Sequence, residues 1–444
     1  MHEAECLRAE ERSLLEDRFD VIVIGGGPAG SSAASELVRH GHSVLVVEKD
    51  HYPRFHIGES LLPGVLAILD ELGVAEAIHA EGFVRKYAAE FVTPDAAIRQ
   101  RYVFSDSLTP EHALAYQVER ARFDQILLDH ARRQGAEVRA GVEVTHFEEQ
   151  PESIVCTLRE GDAGGEPRRV SGDFLIDASG QHSFIARRLG LRQLDLGLRN
   201  VAIYAHFTGA TPIQGDRAGD ITVVLDPEGW WWVIPLREVT SLGFVAPKAA
   251  FRGKPDSNWM LQRMREIPVL MQRFESAELV SPARVAADYS YSSRRLVGKR
   301  WLLAGDAAAF LDPVFSTGVY LGVSSGVKAA QAVTQALTSS APAAAVFSDY
   351  AAWLTQRVRV YGELVRGFYR PEFTDLFMHP SSALQLRQAV TSALAGFAEE
   401  PEVLRRLKTF LSAARANKDQ ELSPRLPGRR EAAARLALAS LPDE

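Results

Sequence analysis

The stretch from Phe19 to Glu48 constrains this chain more than any other. Phe19 to Ile24 is short, apolar and β-branched, and it runs into Gly25-Gly26-Gly27-Pro28-Ala29-Gly30. A helix-compatible segment, SSAASELVRH, follows, and a second apolar run, Val44 to Val47, ends at Glu48. Strand, glycine turn, helix and strand make a βαβ unit whose two strands lie parallel in a buried sheet. Gly25, Gly27 and Gly30 have the G-x-G-x-x-G spacing. The first glycine allows the tight turn, the second lets the backbone reach a pyrophosphate, and the third packs helix against strand. The helix start, at Pro28 and Ala29, offers unpaired N–H groups and a positive dipole end to phosphates. Glu48, at the tip of the second strand, is placed to accept ribose hydroxyls and would repel a 2′-phosphate. These six residues are expected to hold NAD or FAD.

The far end of the chain chooses between them. An apolar strand, Trp301 to Ala304, leads into Gly305-Asp306-Ala307. This resembles the second flavin fingerprint of FAD-dependent monooxygenases, which implies that Asp306 binds the ribityl chain. No second G-x-G-x-x-G offers a nicotinamide domain, so FAD is the expected cofactor.

The remaining composition mostly excludes. A net charge of −7 over 444 residues has the wrong sign for a nucleic-acid partner. Two cysteines, Cys6 and Cys156, make no disulfide framework, and no Cys/His cluster has zinc spacing, so no metal is expected. No apolar run approaches the roughly 18 residues of a membrane span. The N-terminal MHEAECLRAEERSLLEDR lacks the apolar stretch of a signal peptide, so a cytoplasmic protein is expected. The expected fold is α/β: a Rossmann-type FAD-binding domain with an inserted, mostly antiparallel β substrate domain and a helical C-terminal region. Residues 1–18 read as a polar, helical tail. The FAD-binding domain takes 19–85, 115–195 and 290–338, the inserted sheet domain 86–114 and 196–289, and the helical region 339–444. Trp259 to Phe274 has helical spacing throughout. Trp230, Trp232 and Ile234 alternate, so on a strand they project from one face.

Three further segments carry a family resemblance: Gly58-Glu59-Ser60, Trp230-Trp231-Trp232-Val233-Ile234-Pro235, and Phe310 through Gly318. The second fits W-x-W-x-I-P and the third F-x-x-P-x-x-S-x-G. With the two flavin motifs they make the chain, from about Phe19 to Leu337, resemble the FAD-dependent halogenases, which share their fold with p-hydroxybenzoate hydroxylase. The resemblance implies an oxidoreductase of secondary metabolism that uses reduced FAD, oxygen and chloride to make hypochlorous acid and chlorinate an aromatic ring. It implies that Lys86 handles the active halogen and that Ser316, Thr317 and Gly318 form the halide site at a helix start. Trp230, Trp232, Ile234 and Pro235 would wall the flavin off from the organic substrate, and Ser60 and Arg120 would contact the cofactor. It also implies a separate flavin reductase as partner. Tryptophan halogenases carry a Glu where this chain has Phe315, which points to a phenolic or pyrrolic substrate, free or tethered to a carrier protein. The alternative on the same fold is an FAD-dependent aromatic hydroxylase. Gly322-Val323-Ser324-Ser325-Gly326 matches the hydrolase pattern G-x-S-x-G, but it falls inside a helical stretch, where a nucleophile elbow cannot form.

Overall fold

The computed structural model describes residues 15–161, 166–195, 197–251, 253–287, 290–380, 385–420 and 423–432. At its centre β1 (Leu15–Ile24) lies parallel between β2 (Val44–Glu48) and β10 (Arg168–Asp177), with α1 (Pro28–Arg39) crossing from β1 to β2. Val21 to Val23 and Val44 to Val47 are buried, as unbroken β-branched runs require of a sheet covered on both faces. β7 (Glu137–Ala140) continues the sheet beyond β2, and β19 (Trp301–Leu303) joins β10, both in parallel. β8 (Val142–Glu149) and β9 (Ile154–Glu160) extend the other edge antiparallel. The chain thus brings residue 25 and residue 306 to one end of one sheet.

The tail differs from its expectation. Leu15 to Arg18 is strand rather than helix, because it pairs with β10 from Leu15↔Arg169 to Arg18↔Ser171. Residues 1–14, Cys6 among them, lie outside the described residues.

A second sheet has the order β16 (Glu278–Leu279), β12 (Asn200–Thr208), β15 (Thr240–Pro247), β14 (Trp230–Pro235), β13 (Ile221–Val224), β4 (Ala88–Val92) and β5 (Arg99–Val103), with β17 (Arg284–Ala287) also on β12. All its pairings are antiparallel except β13 with β4. A two-stranded ribbon, β3 (Val84–Lys86) with β6 (Ala115–Gln117), leads into this sheet. A three-stranded piece is built from β11 (Arg192–Leu194), β18 (Tyr291–Ser293) and β20 (Ala309–Phe310).

The shorter helices are α2 (Pro63–Glu71), α3 (Ala75–Ala80) and α5 (Phe184–Arg188), and α4 (Arg120–Gln134) packs beside α1. One helix was expected over Trp259 to Phe274; there are two, α6 (Ser257–Arg265) and α7 (Pro268–Phe274). Pro268 has no N–H for the preceding turn and starts a new helix instead. The rest is α8 (Gly318–Thr338), α9 (Ala343–Phe368), α10 (Pro371–Met378), α11 (Leu386–Ala395) and α12 (Pro401–Gln420).

The two faces of the second sheet have separate fates. Trp231, Val233 and Phe244 pack with Met260, Met264 and Leu270 of α6 and α7. Trp230, Trp232 and Ile234 turn to the other side and share one continuous core with α8 to α12. There Phe91 meets Phe377 at 4.7 Å and Phe368 at 6.1 Å between ring centroids. The helical C-terminal region is therefore part of the fold's main core. Gly322 to Gly326 lies within α8, and its last glycine serves packing: a Cβ at Gly326 would sit 2.2 Å from the Ala29 carbonyl oxygen of α1. Among the described residues no helix is long and apolar enough to cross a membrane.

Candidate active site

A cavity of about 410 Å³ lies where the two sheets and the start of α8 meet. One end is the glycine turn. Gly27 caps α1, and a Cβ there would meet only Arg54, 3.5 Å away, so the backbone is open to a ligand. Glu48 is buried, with Oε2 accepting from Gly26 N at 2.7 Å and Oε1 from Asp50 N at 2.8 Å. Fixed this way, its carboxylate faces the cavity at the strand tip. Arg54 also lines the cavity, its guanidinium held by ion pairs with Asp50 at 3.5 Å and Asp124 at 3.9 Å, which leaves Nε without a close hydrogen bond.

Further in, Arg120 at the start of α4 is buried and forked onto Asp124 at 2.7 and 2.9 Å, with its Nη1 on Ile57 O at 2.8 Å. Asp306 sits on the same wall, and burial pushes its carboxyl up to about 7 against the opposing pull of Arg120. A carboxyl poised between its two states beside a fixed guanidinium suits a partner rich in hydroxyls. An open glycine turn, a cavity-lining arginine, a strand-tip Glu and a buried Asp are together a set that fits a flavin dinucleotide.

The other end is lined by Trp230, Trp232 and Ile234, with Ser316, Gly318 and Gly322 opposite. Burial of each indole contributes roughly 4–6 kcal/mol at about 25 cal/mol/Å². Both rings are also pinned by hydrogen bonds, Trp230 Nε1 to Tyr369 Oη at 2.8 Å and Trp232 Nε1 to Ser241 Oγ at 3.1 Å. Pro235 closes the strand without reaching the cavity wall. Ser316 adopts a left-handed turn at φ 57°, and Thr317, buried, caps α8. A Cβ on Gly318 would meet nothing within 4 Å, so there is open space beside the first turn of α8, whose N–H groups have no intrahelical acceptor.

Lys86 is buried to 1% exposure, and the alternation of β3 leaves its neighbour Arg85 outside. Its Nζ donates to Ser60 Oγ at 2.9 Å and Leu61 O at 2.8 Å. It does not itself line the cavity; Ser60 does, standing between the two. Burial pulls the Lys86 amine down to about 7, with Asp220 the opposing charge. Its ordinary value is 10.5, so between about 7 and 10.5 the unfolded chain holds a proton here that the native chain lacks. Native stability should therefore rise across that window as pH increases. We expect Lys86→Met to melt higher than the parent near pH 7, by an amount worth a few kcal/mol at about 1.4 kcal/mol per pH unit, and the difference to shrink toward pH 10.5. Thermal melts at pH 7 and at pH 10 check this; a difference that widens with pH would contradict it.

The FAD binding domain family matches residues 18–352. A tryptophan 2-halogenase of Chondromyces crocatus is 35% identical over 356 residues, 79% of this chain and 67% of that protein. A 1H-pyrrole-2-carbonyl-[peptidyl-carrier protein] brominase of Pseudoalteromonas luteoviolacea is 32% identical over 387 residues, 85% of this chain and 92% of that one. The chain belongs to the flavin-dependent halogenases. Among solved structures, the flavin-dependent brominase Bmp2 superposes with a TM-score of 0.81 at 29% identity, covering 90% of this chain and 99% of that one.

For a flavin-dependent halogenase the geometry adds residues that motif reading did not select. Arg54 and His56 come from a loop with no periodicity. Glu59 was visible only as the middle of Gly58-Glu59-Ser60; its Oε1 meets His206 Nε2 at 2.6 Å, tying that loop to β12, while its buried Oε2 has no partner. The His56 imidazole is pulled down to about 4, first by burial and then by Arg120, so it is neutral at pH 7. Phe315 is buried among Phe368, at 5.5 Å, and Phe377, at 6.0 Å. Among the described residues no group of three or more His, Cys, Asp or Glu side chains could hold a metal ion.

Proposed function

We propose that this halogenase is a chlorinase of an electron-rich phenol or pyrrole, free or tethered to a carrier protein, with reduced FAD delivered by a separate flavin reductase. When bound, FAD supplies the redox chemistry by which oxygen oxidises a halide ion. Around it the chain has four tasks. The glycine turn, Glu48, Arg120 and Asp306 hold and orient the cofactor. Backbone N–H groups of Thr317 and Gly318, at the start of α8, hold chloride, an arrangement that suits an anion in an otherwise acidic protein. Trp230, Trp232 and Ile234 keep water and the organic substrate away from the oxidation step. Hypochlorous acid then passes Ser60 to Lys86, which presents the halogen to the ring.

The observation that carries this reading is the geometry of Lys86, fully buried with Nζ donating to Ser60 Oγ and Leu61 O. A neutral amine has two hydrogens and one lone pair. Ser60 Oγ and Leu61 O take both hydrogens, which leaves the lone pair oriented and free to engage an electrophilic halogen. A solvated surface lysine would offer neither neutrality nor direction. The substrate class rests on Phe315, whose apolar surroundings place no carboxylate where a less reactive ring would need a base. The relative named as a pyrrole-carrier brominase agrees with that class, and the one named a tryptophan 2-halogenase puts indole into the test.

The test is turnover with a flavin reductase, oxygen and chloride on a panel of phenols, pyrroles and tryptophan, free and carrier-bound. Mass spectrometry is expected to show the chlorine isotope pattern on a phenol or pyrrole. Hydroxylated product formed without any halide requirement would overturn the proposal.

A further inference from the structure

Gln117 is fully buried, and its two polar atoms are treated differently by the fold. Nε2 donates to the Gly219 carbonyl at 2.9 Å. That bond fixes which end of the amide is nitrogen, because an oxygen there would face another oxygen. Oε1 is left buried without a hydrogen-bond partner. Buried side-chain acceptors are rarely orphaned, and the desolvation they suffer costs about 1–3 kcal/mol. An orphaned acceptor beside a reaction site is open to a donor that a ligand brings.

Strand pairing shows where that acceptor stands. Gln117 is paired with Val84 of β3 on one side and bridges to Ser60 on the other. Residues opposite one another share a face, and so do residues two apart on a strand, so Ser60, Gln117, Val84 and Lys86 all project from the same side. The Lys86 bond to Ser60 Oγ is direct evidence of this. The cavity reaches the assembly at Ser60 and at Ile221, two residues beyond the carbonyl that anchors Gln117. Behind Ser60 the fold therefore sets a buried amine and an unfilled oxygen acceptor on one face, next to the cavity although neither lines it.

We infer that Gln117 binds hypochlorous acid, its Oε1 accepting the O–H of the acid while Lys86 faces the remainder of the molecule. The acid carries one O–H and one electrophilic chlorine. Seating the O–H on Gln117 turns the chlorine toward Lys86 and the substrate. The same seat suits hypobromous acid and rejects chloride, which has no proton to donate. This inference rests on the passage of hypochlorous acid proposed above.

Gln117→Leu keeps burial but removes the acceptor, and unlike a thioether it does not itself consume hypochlorous acid. In turnover with chloride and a reductase we expect chlorinated product per oxygen consumed to fall several-fold, and oxidised chlorine captured by an added bulky thiol to rise in step. Melting temperature and FAD affinity serve as folding controls. A second measurement needs no turnover: hypochlorite is added to the oxidised protein, and peptide mass spectrometry reads the fraction captured at Lys86. That fraction should fall several-fold in Gln117→Leu. If Gln117→Leu loses its fold, Gln117→Val carries the same comparison. A parent that releases and uses oxidised chlorine, with a variant matching it in both readouts, overturns the role of Gln117 alone. A parent that produces no oxidised chlorine from chloride overturns the underlying reading instead.

Discussion

Lys86→Leu is expected to lower chlorinated product by at least about 100-fold, the scale on which a positioned reacting side chain acts, while oxidised chlorine continues to form and escapes to a trap; a thioether at this position would itself consume the oxidant. The amine donates two hydrogen bonds, to Ser60 Oγ and Leu61 O, which direct its lone pair when it is neutral. Lys86→Arg should be no better, because a guanidinium keeps its proton at any working pH and is forked where Lys86 is a point. In the parent, product formation should climb as pH rises through about 7, where the amine loses its proton. Lys86→Leu removes the same buried charge as Lys86→Met and should likewise be the more stable protein near that pH, so a melting curve separates its inactivity from unfolding. Product formed at the parent rate by Lys86→Leu, read by mass spectrometry, would remove Lys86 from the chemistry.

Gly30→Ala should yield protein without bound flavin. The added methyl would lie 1.8 Å from the Gly25 carbonyl oxygen, and the turn cannot back away, since a Cβ on Gly25 would itself be 2.4 Å from Ala178 O. Overpacking of this kind costs about 1–3 kcal/mol or more, enough for roughly 10–100-fold in affinity. Gly27→Ala makes the contrast. Its methyl meets no backbone, so it should fold at the parent melting temperature and lose affinity only because it occupies ligand space. Titration of each variant with FAD, followed by flavin fluorescence, separates the packing glycine from the approach glycine. Equal affinities for Gly30→Ala and the parent would mean that the loop is not held as described.

These contrasts show what could be read in advance. That Gly25, Gly27, Glu48 and Asp306 meet at one cavity was legible, the first three because a mononucleotide-binding unit fixes residue type at fixed spacing and Asp306 through its resemblance to a flavin fingerprint, and the shared face of the tryptophans because a strand alternates with period two. Their partners were not. The bond between Glu59 and His206 spans 147 residues, and that between Trp230 and Tyr369 spans 139, distances over which local periodicity carries no information. The burial of Lys86 was equally hidden, since a strand of three residues has no period to read and the burial comes from Ser60 and from the pairing with β6. The strand at Leu15 to Arg18 was concealed by its charges, which an exposed strand end tolerates as readily as a helix does. The C-terminal helices carry no motif, yet their aromatic residues complete the core behind the tryptophans.

Asp312 Oδ2 accepts from Asn200 Nδ2 and from Tyr369 Oη, both at 2.8 Å, and Tyr369 in turn accepts from Trp230. One buried oxygen thus couples the inserted sheet, the loop before α8 and the end of α9. Chimeras that transplant the last helices of another halogenase onto this chain would have to carry a hydroxyl at position 369 with them. Without it, the Trp230 indole N–H loses its acceptor at the seam, and the aromatic partition loosens although the cavity-lining residues are all intact. Engineering of substrate range by module exchange is therefore constrained by a tyrosine that touches no reactant.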